Sequence, residues 1–209
     1  MKNIFFVDVD TQRDLMQPDG SLYVPGAERL LPKLRRLFSF AKTHAVTILS
    51  TANACDSNAF TSGKFPPHCL RGTPGQHKVN DTLMLHPLVL ENKPLDRSFP
   101  DLVRKHQQII VEKQEFDVFT NPSVEKLLRV LPSNAILFGV PTEYSVKLMA
   151  LGLRRLGFKT AVIQNVTLPL RGRDAAAAES AMRSAGIEFI TLEVLLGVQT
   201  DDYAGKSGK

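Results

Sequence analysis

Short apolar runs of strand length recur through the chain, each followed by a stretch whose apolar residues return at helical spacing. This alternation restricts the fold more than any other feature. Ile4-Phe-Phe-Val-Asp-Val9 reads as a buried strand, and Pro25-Gly-Ala-Glu28 opens a helix whose Leu30, Leu31, Leu34, Leu37 and Phe38 fall at helical intervals. Further strands are expected at 46–50, 108–112, 135–140, 160–164 and 188–190, with a short segment at 88–90. Helices are expected at about 123–130, 142–156 and 173–185. Strands alternating with helices demand right-handed crossovers, so the expected fold is three-layer α/β/α, a Rossmann-like parallel sheet with helices on both faces.

At 209 residues the chain suits one sizeable core, and residues 1–197 are expected to form a single domain. The end of the sequence, closing on Gly-Lys-Ser-Gly-Lys, lacks the apolar side chains needed to order itself, so 198–209 is expected to be a flexible C-terminal tail. The formal charge of +5 comes from basic residues spread along the chain. Pairs such as Arg35-Arg36 and Arg154-Arg155 read as solvated helix faces, and nucleic acid is not expected as a partner. The apolar runs fall far short of the roughly 20 residues that cross a bilayer, and the N-terminus lacks a secretory pattern. No membrane partner is expected, and the expected location is cytoplasmic. Two cysteines, Cys55 and Cys69, do not make a disulfide framework.

Residues from about 52 to 82 interrupt the alternation with Pro66, Pro67, Gly72, Pro74 and Gly75. So long an excursion inside a compact domain is usually functional, and it reads as a wall of a pocket. In an open parallel sheet, ligands bind beyond the carboxyl ends of the strands, so residues just past different strands converge. Asp10, Lys113 and Ser145 each follow a strand in this way. A carboxylate beside an ammonium takes a proton from a nucleophile while the cation stabilises the charge that develops. Singly, each has a plainer reading: a turn aspartate, a solvated strand end, and a serine bonded to backbone in the first turn of a helix.

Ala135-Ile-Leu-Phe-Gly-Val-Pro-Thr-Glu-Tyr-Ser-Val146 resembles the Gly-Val-x-Thr-Asp/Glu-x-Cys-Val signature of the isochorismatase-like cysteine hydrolases. Phe65-Pro-Pro-His-Cys-Leu-Arg-Gly-Thr-Pro-Gly-Gln76 resembles the nicotinamidase branch of that family. Asp10-Thr-Gln-Arg-Asp-Leu15 is similar to its Asp-x-Gln-Asn-Asp-Phe, Val111-Glu-Lys-Gln-Glu-Phe116 to its lysine strand end, and Ser21-Leu-Tyr-Val-Pro-Gly-Ala27 to its approach to the first helix. The resemblance covers the chain to about residue 197. It implies a hydrolase of C–N or vinyl-ether bonds in a small planar substrate, with Asp10 as base, Lys113 as its support and position 145 as nucleophile, or, with serine there, as a hydroxyl that positions water. It also implies a homo-oligomer, dimer or tetramer; no cofactor is expected. Asp8 lies on the same strand face as Asp10 and reads as its support or as a loop cap.

Three departures bear on the chemistry. Position 145 carries serine where the family has cysteine, and a hydroxyl is a much weaker nucleophile than a thiol near neutral pH. The loop Val140-Pro141-Thr142 corresponds to the family's cis peptide and part of its oxyanion hole. Proline makes the cis form cheap but brings no N–H, and losing one such donor typically costs on the order of 10² to 10³ in rate; the remaining donor is expected to be the N–H of Ser145. The branch's Asp-x-His metal pair is matched by Asn53 and Cys55. Asn53, Cys55, His68 and Cys69 could be assembled on paper into a zinc site, but they lack paired ligand spacing and no metal is expected. Phe65, His68 and Phe116 are expected to line the pocket, with Phe5, Phe6 and Phe60 as further candidates.

Three readings remain open: a hydrolase of weakened or altered activity on a small planar amide or related substrate, a catalytically inactive member that binds a small molecule or a partner chain, or a cysteine hydrolase carrying an introduced serine. Retention of Asp10 and Lys113, a charge pair expensive to desolvate, favours an enzyme.

Overall fold

The computed structural model describes residues 3–56 and 65–197; Phe60 and the segment 198–209 lie outside the described residues. In chain order the elements are β1 (Ile4–Val9), α1 (Arg13–Met16), α2 (Leu31–Thr43), β2 (Ile48–Asn53), β3 (Leu88–Leu90), α3 (Phe99–Lys105), β4 (Gln108–Lys113), α4 (Val124–Leu128), β5 (Asn134–Gly139), α5 (Lys147–Arg155), β6 (Lys159–Thr167), α6 (Gly172–Ser184), β7 (Glu188–Ile190) and α7 (Leu192–Leu196). The seven strands form one sheet in the order β3-β4-β2-β1-β5-β6-β7, and every pairing is parallel.

β1 shows why the sheet must be covered twice. Phe5, Val7 and Val9 enter one apolar cluster and Phe6 the other, all fully buried. Side chains that alternate across a strand and are apolar on both sides leave neither face for water. Residues of α3, α4, α5 and α6 pack against the first set, and residues of α1, α2 and α7 against the second. The three-layer expectation therefore holds. Phe5 and Phe6, considered above as pocket residues, belong to these two cores, where each buried side chain contributes about 1.5–3 kcal/mol.

Element boundaries differ where polar residues carry the ladder. β2 runs through Thr51, Ala52 and Asn53, whose Cα partners in β4 are Val111, Glu112 and Lys113. Ser-Thr-Ala-Asn reads locally as the start of a loop, but neighbouring strands satisfy its backbone. The expected helix at 142 begins instead with a π turn, Thr142–Val146, and becomes α-helical only at Lys147; such turns are frequent at functional sites. α3 and α7, of seven and five residues, are too short for their periodicity to stand out. Gly139 closes β5 at φ 117, and a Cβ placed there would lie 2.1 Å from the carbonyl oxygen of Val9. Only glycine lets β5 pass this close to β1.

Candidate active site

The central strands β4, β2, β1 and β5 are neighbours in that order, and at their carboxyl ends stand Lys113, Asn53, Asp10 and Ser145. The Lys113 ammonium donates to Asp10 Oδ2 at 2.8 Å, to Asn53 Oδ1 at 2.7 Å and to the Glu115 carbonyl at 3.1 Å, and reaches Ser145 Oγ at 3.3 Å. Three N–H groups thus face four acceptors. Asp10, Lys113 and Ser145 are each at most 2% exposed.

Asp10 sits just past β1 with φ 49, a left-handed conformation that aspartate tolerates better than most residues. Thr51 locks it there. Its Oγ accepts from the Asp10 backbone N–H at 3.2 Å, and its hydroxyl donates to Asp10 Oδ1 at 2.5 Å. Gln12 clamps the neighbouring strand end: its Oε1 accepts from the N–H and Nδ2 of Asn53, and its Nε2 donates to the carbonyls of Asn53 and Gln76. Asn53 therefore has only one way to point, with Oδ1 toward Lys113.

Burial alone pushes the Asp10 carboxyl upward, but the charge and hydrogen bond of Lys113, with the hydroxyls of Ser145 and Thr51, outweigh it and hold the group below its ordinary value. An ionised carboxylate in reach of the Ser145 hydroxyl is a proton acceptor; the adjacent ammonium can hold the oxygen that loses the proton. A carboxyl lowered on folding contributes stability above its unfolded pKa of about 3.9, and that contribution is lost as pH falls through the folded value. Urea-unfolding midpoints should accordingly drop below about pH 4. Part of that drop should be missing in Asp10→Asn.

Asp8 has its own cation. Its Oδ2 lies 2.8 Å from the Lys78 ammonium, and its carboxylate accepts from Thr11 and Ser50, each at 2.8 Å. Lys78 also donates to Thr11 Oγ at 2.8 Å. Asp8 therefore does not touch the site as a direct support of Asp10. It fixes the backbone on both sides of Asp10 and ties the 66–82 loop to β1. The sequence carries no signal for Lys78, which stands in an aperiodic loop.

The loop expected to supply oxyanion donors has its amides committed. Val140-Pro141 is cis, the Val140 N–H donates to the Val9 carbonyl at 3.0 Å, Pro141 has no N–H, and the Thr142 N–H donates to the Leu168 carbonyl at 3.0 Å. Glu143, buried, accepts from the backbone N–H of Arg171 at 2.6 Å and of Leu170 at 3.1 Å, binding the segment that carries Ser145 to the loop before α6.

Over the charged groups lies a cap of rings. Phe116 stacks on Tyr144 at 4.9 Å, and Phe65 meets both edge-on at 5.2 and 5.5 Å. His68 stacks more distantly on Phe116, at 6.4 Å, with Nδ1 2.8 Å from the Pro66 carbonyl. Because a carbonyl only accepts, Nδ1 is the protonated nitrogen. Burial pushes the imidazole down, the Pro66 carbonyl opposing it. Lys113 Nζ is 5.9 Å from the Phe116 centroid.

Residues 5–194 match the model of the isochorismatase domain. The chain belongs to the isochorismatase family. The nicotinamidase of Saccharomyces cerevisiae is 24% identical over 205 residues, covering 81% of this chain and 89% of the yeast protein. Among solved structures, the pyrazinamidase of Pyrococcus horikoshii in complex with zinc superposes with a TM-score of 0.72 at 23% identity, over 90% of this chain and 99% of that one. An isochorismatase family protein from Desulfovibrio vulgaris gives 0.73 at 18% identity, over 95% and 98%. These likenesses show the fold.

A metal, as in the archaeal structure, does not suit the residues present here. Asn53 Oδ1 accepts from the Lys113 ammonium, whose charge repels a second cation at that oxygen, and its Nδ2 donates to Gln12. Burial pushes both thiols, Cys55 and Cys69, upward, so a metal there would have to displace a thiol proton from a dry site. Among the described residues no group of three or more His, Cys, Asp or Glu could hold a metal ion.

Of the residues singled out from sequence, Asp10, Lys113, Ser145, Phe65, His68 and Phe116 converge in one cluster past the carboxyl ends of the strands. Thr51, Gln12, Glu143 and Tyr144 were missed as parts of it, and Asn53 was weighed only as a metal ligand. Tyr144 and Glu143 adjoin Ser145 in the signature run, and that adjacency was the available signal. No described helix is long and apolar enough to cross a membrane.

Proposed function

We propose that the protein is a hydrolase acting on a small planar amide or related substrate, with Asp10 as base, Lys113 as electrostatic partner and Ser145 as nucleophile. One observation carries this: a buried carboxylate and a buried ammonium, 2.8 Å apart, both interact with the same serine hydroxyl. Ser145 Oγ attacks the carbonyl carbon as its proton passes to Asp10, and Lys113 stabilises the negative oxygen. Collapse breaks the C–N bond, the leaving nitrogen takes the proton from Asp10, and water then cleaves the serine ester with Asp10 again as base. The resemblance puts a thiol at position 145, so turnover with serine is slow. With this function go a cytoplasmic location, a homo-oligomer of two or four copies, and a single domain over 1–197 with a tail at 198–209.

The committed amides of Val140 and Thr142, with the missing one of Pro141, favour a second reading, an inactive member that binds a planar ligand without turnover. Ammonia release from pyridine-3-carboxamide decides between the two. The first expects slow release that falls by about 10² to 10⁴ in Asp10→Asn, the range one proton-transfer group contributes. Saturable amide binding with release no faster than in Asp10→Asn would establish the second instead.

A further inference from the structure

We propose that the ion pair of Asp8 and Lys78 is a positioning pair for the site: it holds the turn that carries the Asp10 carboxylate to the face of the sheet where Lys113 and Ser145 stand. Its effect on rate rests on the hydrolase reading above; its hold on Asp10 does not.

The turn changes faces. Residues two apart on a strand share a face, so a regular continuation of β1 would put Asp10 beside Asp8. The contacts separate them instead. The Asp8 carboxylate accepts from Ser50 and the Asp10 carboxylate from Thr51, consecutive residues of β2 whose side chains point to opposite faces. Asn53 shares the Thr51 face, and Lys113 is its Cα partner in β4. What moves the carboxylate across is the left-handed conformation of Asp10, with φ 49. A backbone held in so sparsely populated a region persists only where its surroundings over-determine it.

Asp8 and Lys78 supply those surroundings. Before Asp10, Asp8 is pinned by Ser50; after it, Thr11 Oγ donates to Asp8 Oδ1 at 2.8 Å and accepts from Lys78 Nζ at 2.8 Å. The Thr11 carbonyl accepts from the Val79 N–H at 3.0 Å, and Gln12 and Lys78 form an antiparallel bridge. The chain is thus tied to one ion pair on both sides of its left-handed residue. The two side chains are 3% and 0% exposed. A pair so buried is commonly replaced by apolar side chains at no loss of stability, so stability gives no reason for charges here. A fixed turn does.

The test removes both charges together, in Asp8→Val/Lys78→Met, so that the net charge near Asp10 is unchanged. A second variant, Thr11→Val, keeps the pair and cuts the hydroxyl that links it to the turn. Carboxyl-carbon NMR of aspartate-labelled protein reads the Asp10 titration, the signal being assigned by its loss in Asp10→Asn. Asp10 faces Lys113 and the hydroxyls of Thr51 and Ser145, and its charge also reaches Cys55, His68 and Cys69; none of these is altered. The Asp10 midpoint should rise in both variants, because Lys113 and Thr51 then hold the carboxylate less well. Ammonia release from pyridine-3-carboxamide should fall about 10- to 100-fold in kcat, the cost of a small misplacement, with KM little changed. A merely structural pair would move the urea midpoint and leave the Asp10 titration in place. An unmoved titration in Thr11→Val, and in the double variant if it folds, would overturn the proposal while release by the unaltered chain upholds the hydrolase reading. Release by the unaltered chain no faster than by Asp10→Asn would overturn that reading, and a raised Asp10 midpoint would still uphold the hold on the turn.

Discussion

Amide hydrolysis by a Ser145→Cys variant is expected to exceed that of the chain with serine by at least about 10²-fold. The difference originates in the proton. A free thiol near pKa 8.5 is a few per cent thiolate at neutral pH without help, and more beside a cation such as Lys113, whereas a hydroxyl must lose its proton to Asp10 during the attack. Asp10 is a weak base for that task, because Lys113 and the hydroxyls around it hold its carboxyl below the ordinary value despite burial. The surroundings of position 145 therefore suit a nucleophile that needs little persuasion to ionise. Steady-state ammonia release from pyridine-3-carboxamide, with both proteins at one concentration, measures the ratio. A ratio near one, with both proteins folded and binding the amide, would mean that the committed amides of the 140–142 loop limit the rate whatever the nucleophile.

Lys113→Met is expected to destabilise the fold by about 3–5 kcal/mol, the cost of leaving one member of a buried ion pair without the other. Asp10 would keep its bonds to Thr51 but lose the cation that offsets burial. Burial is the largest influence on that carboxyl and acts upward, so without Lys113 its folded pKa should lie above the unfolded value. The sign of the pH dependence then reverses. In the unaltered chain the Asp10 contribution disappears as pH falls; in Lys113→Met the protonated acid is the stable form, and stability should decline as pH rises through the raised value. Urea unfolding over a series of pH values separates the two slopes. Adding Asp10→Asn to Lys113→Met should recover part of the loss, because neither charge is then stranded.

The parts of this site legible in the sequence are those whose position follows from topology. Asp10, Lys113 and Ser145 each stand just past an apolar run, and an open parallel sheet gathers such positions at one rim. The cap was legible in part: Phe65 and Phe116 stand out as aromatic residues of the excursion and of a strand end and His68 lies in the same loop, while Tyr144 was passed over although it adjoins Ser145. Lys78 was not legible, and neither was the partner of Glu143, although Glu143 stands in the signature run. Their roles depend on which loops meet across more than 25 residues of sequence, as Glu143 does with Arg171 and Lys78 with Asp8. No local pattern encodes such meetings. Thr51 and Asn53 read as loop residues because their strand is polar, yet that polarity is what orients Asp10 and Lys113.

The two charged groups of the site are separated by 103 residues, and Asp10 comes from a strand at the middle of the sheet whose neighbours are supplied from both later directions. During synthesis the first strand must wait, its edges unpaired, until the second and fifth emerge. So many distant pairings make for slow assembly. The contact between Asp10 and Lys113 is consequently among the last to form, and its appearance would report a finished sheet, a natural clock for refolding of this protein.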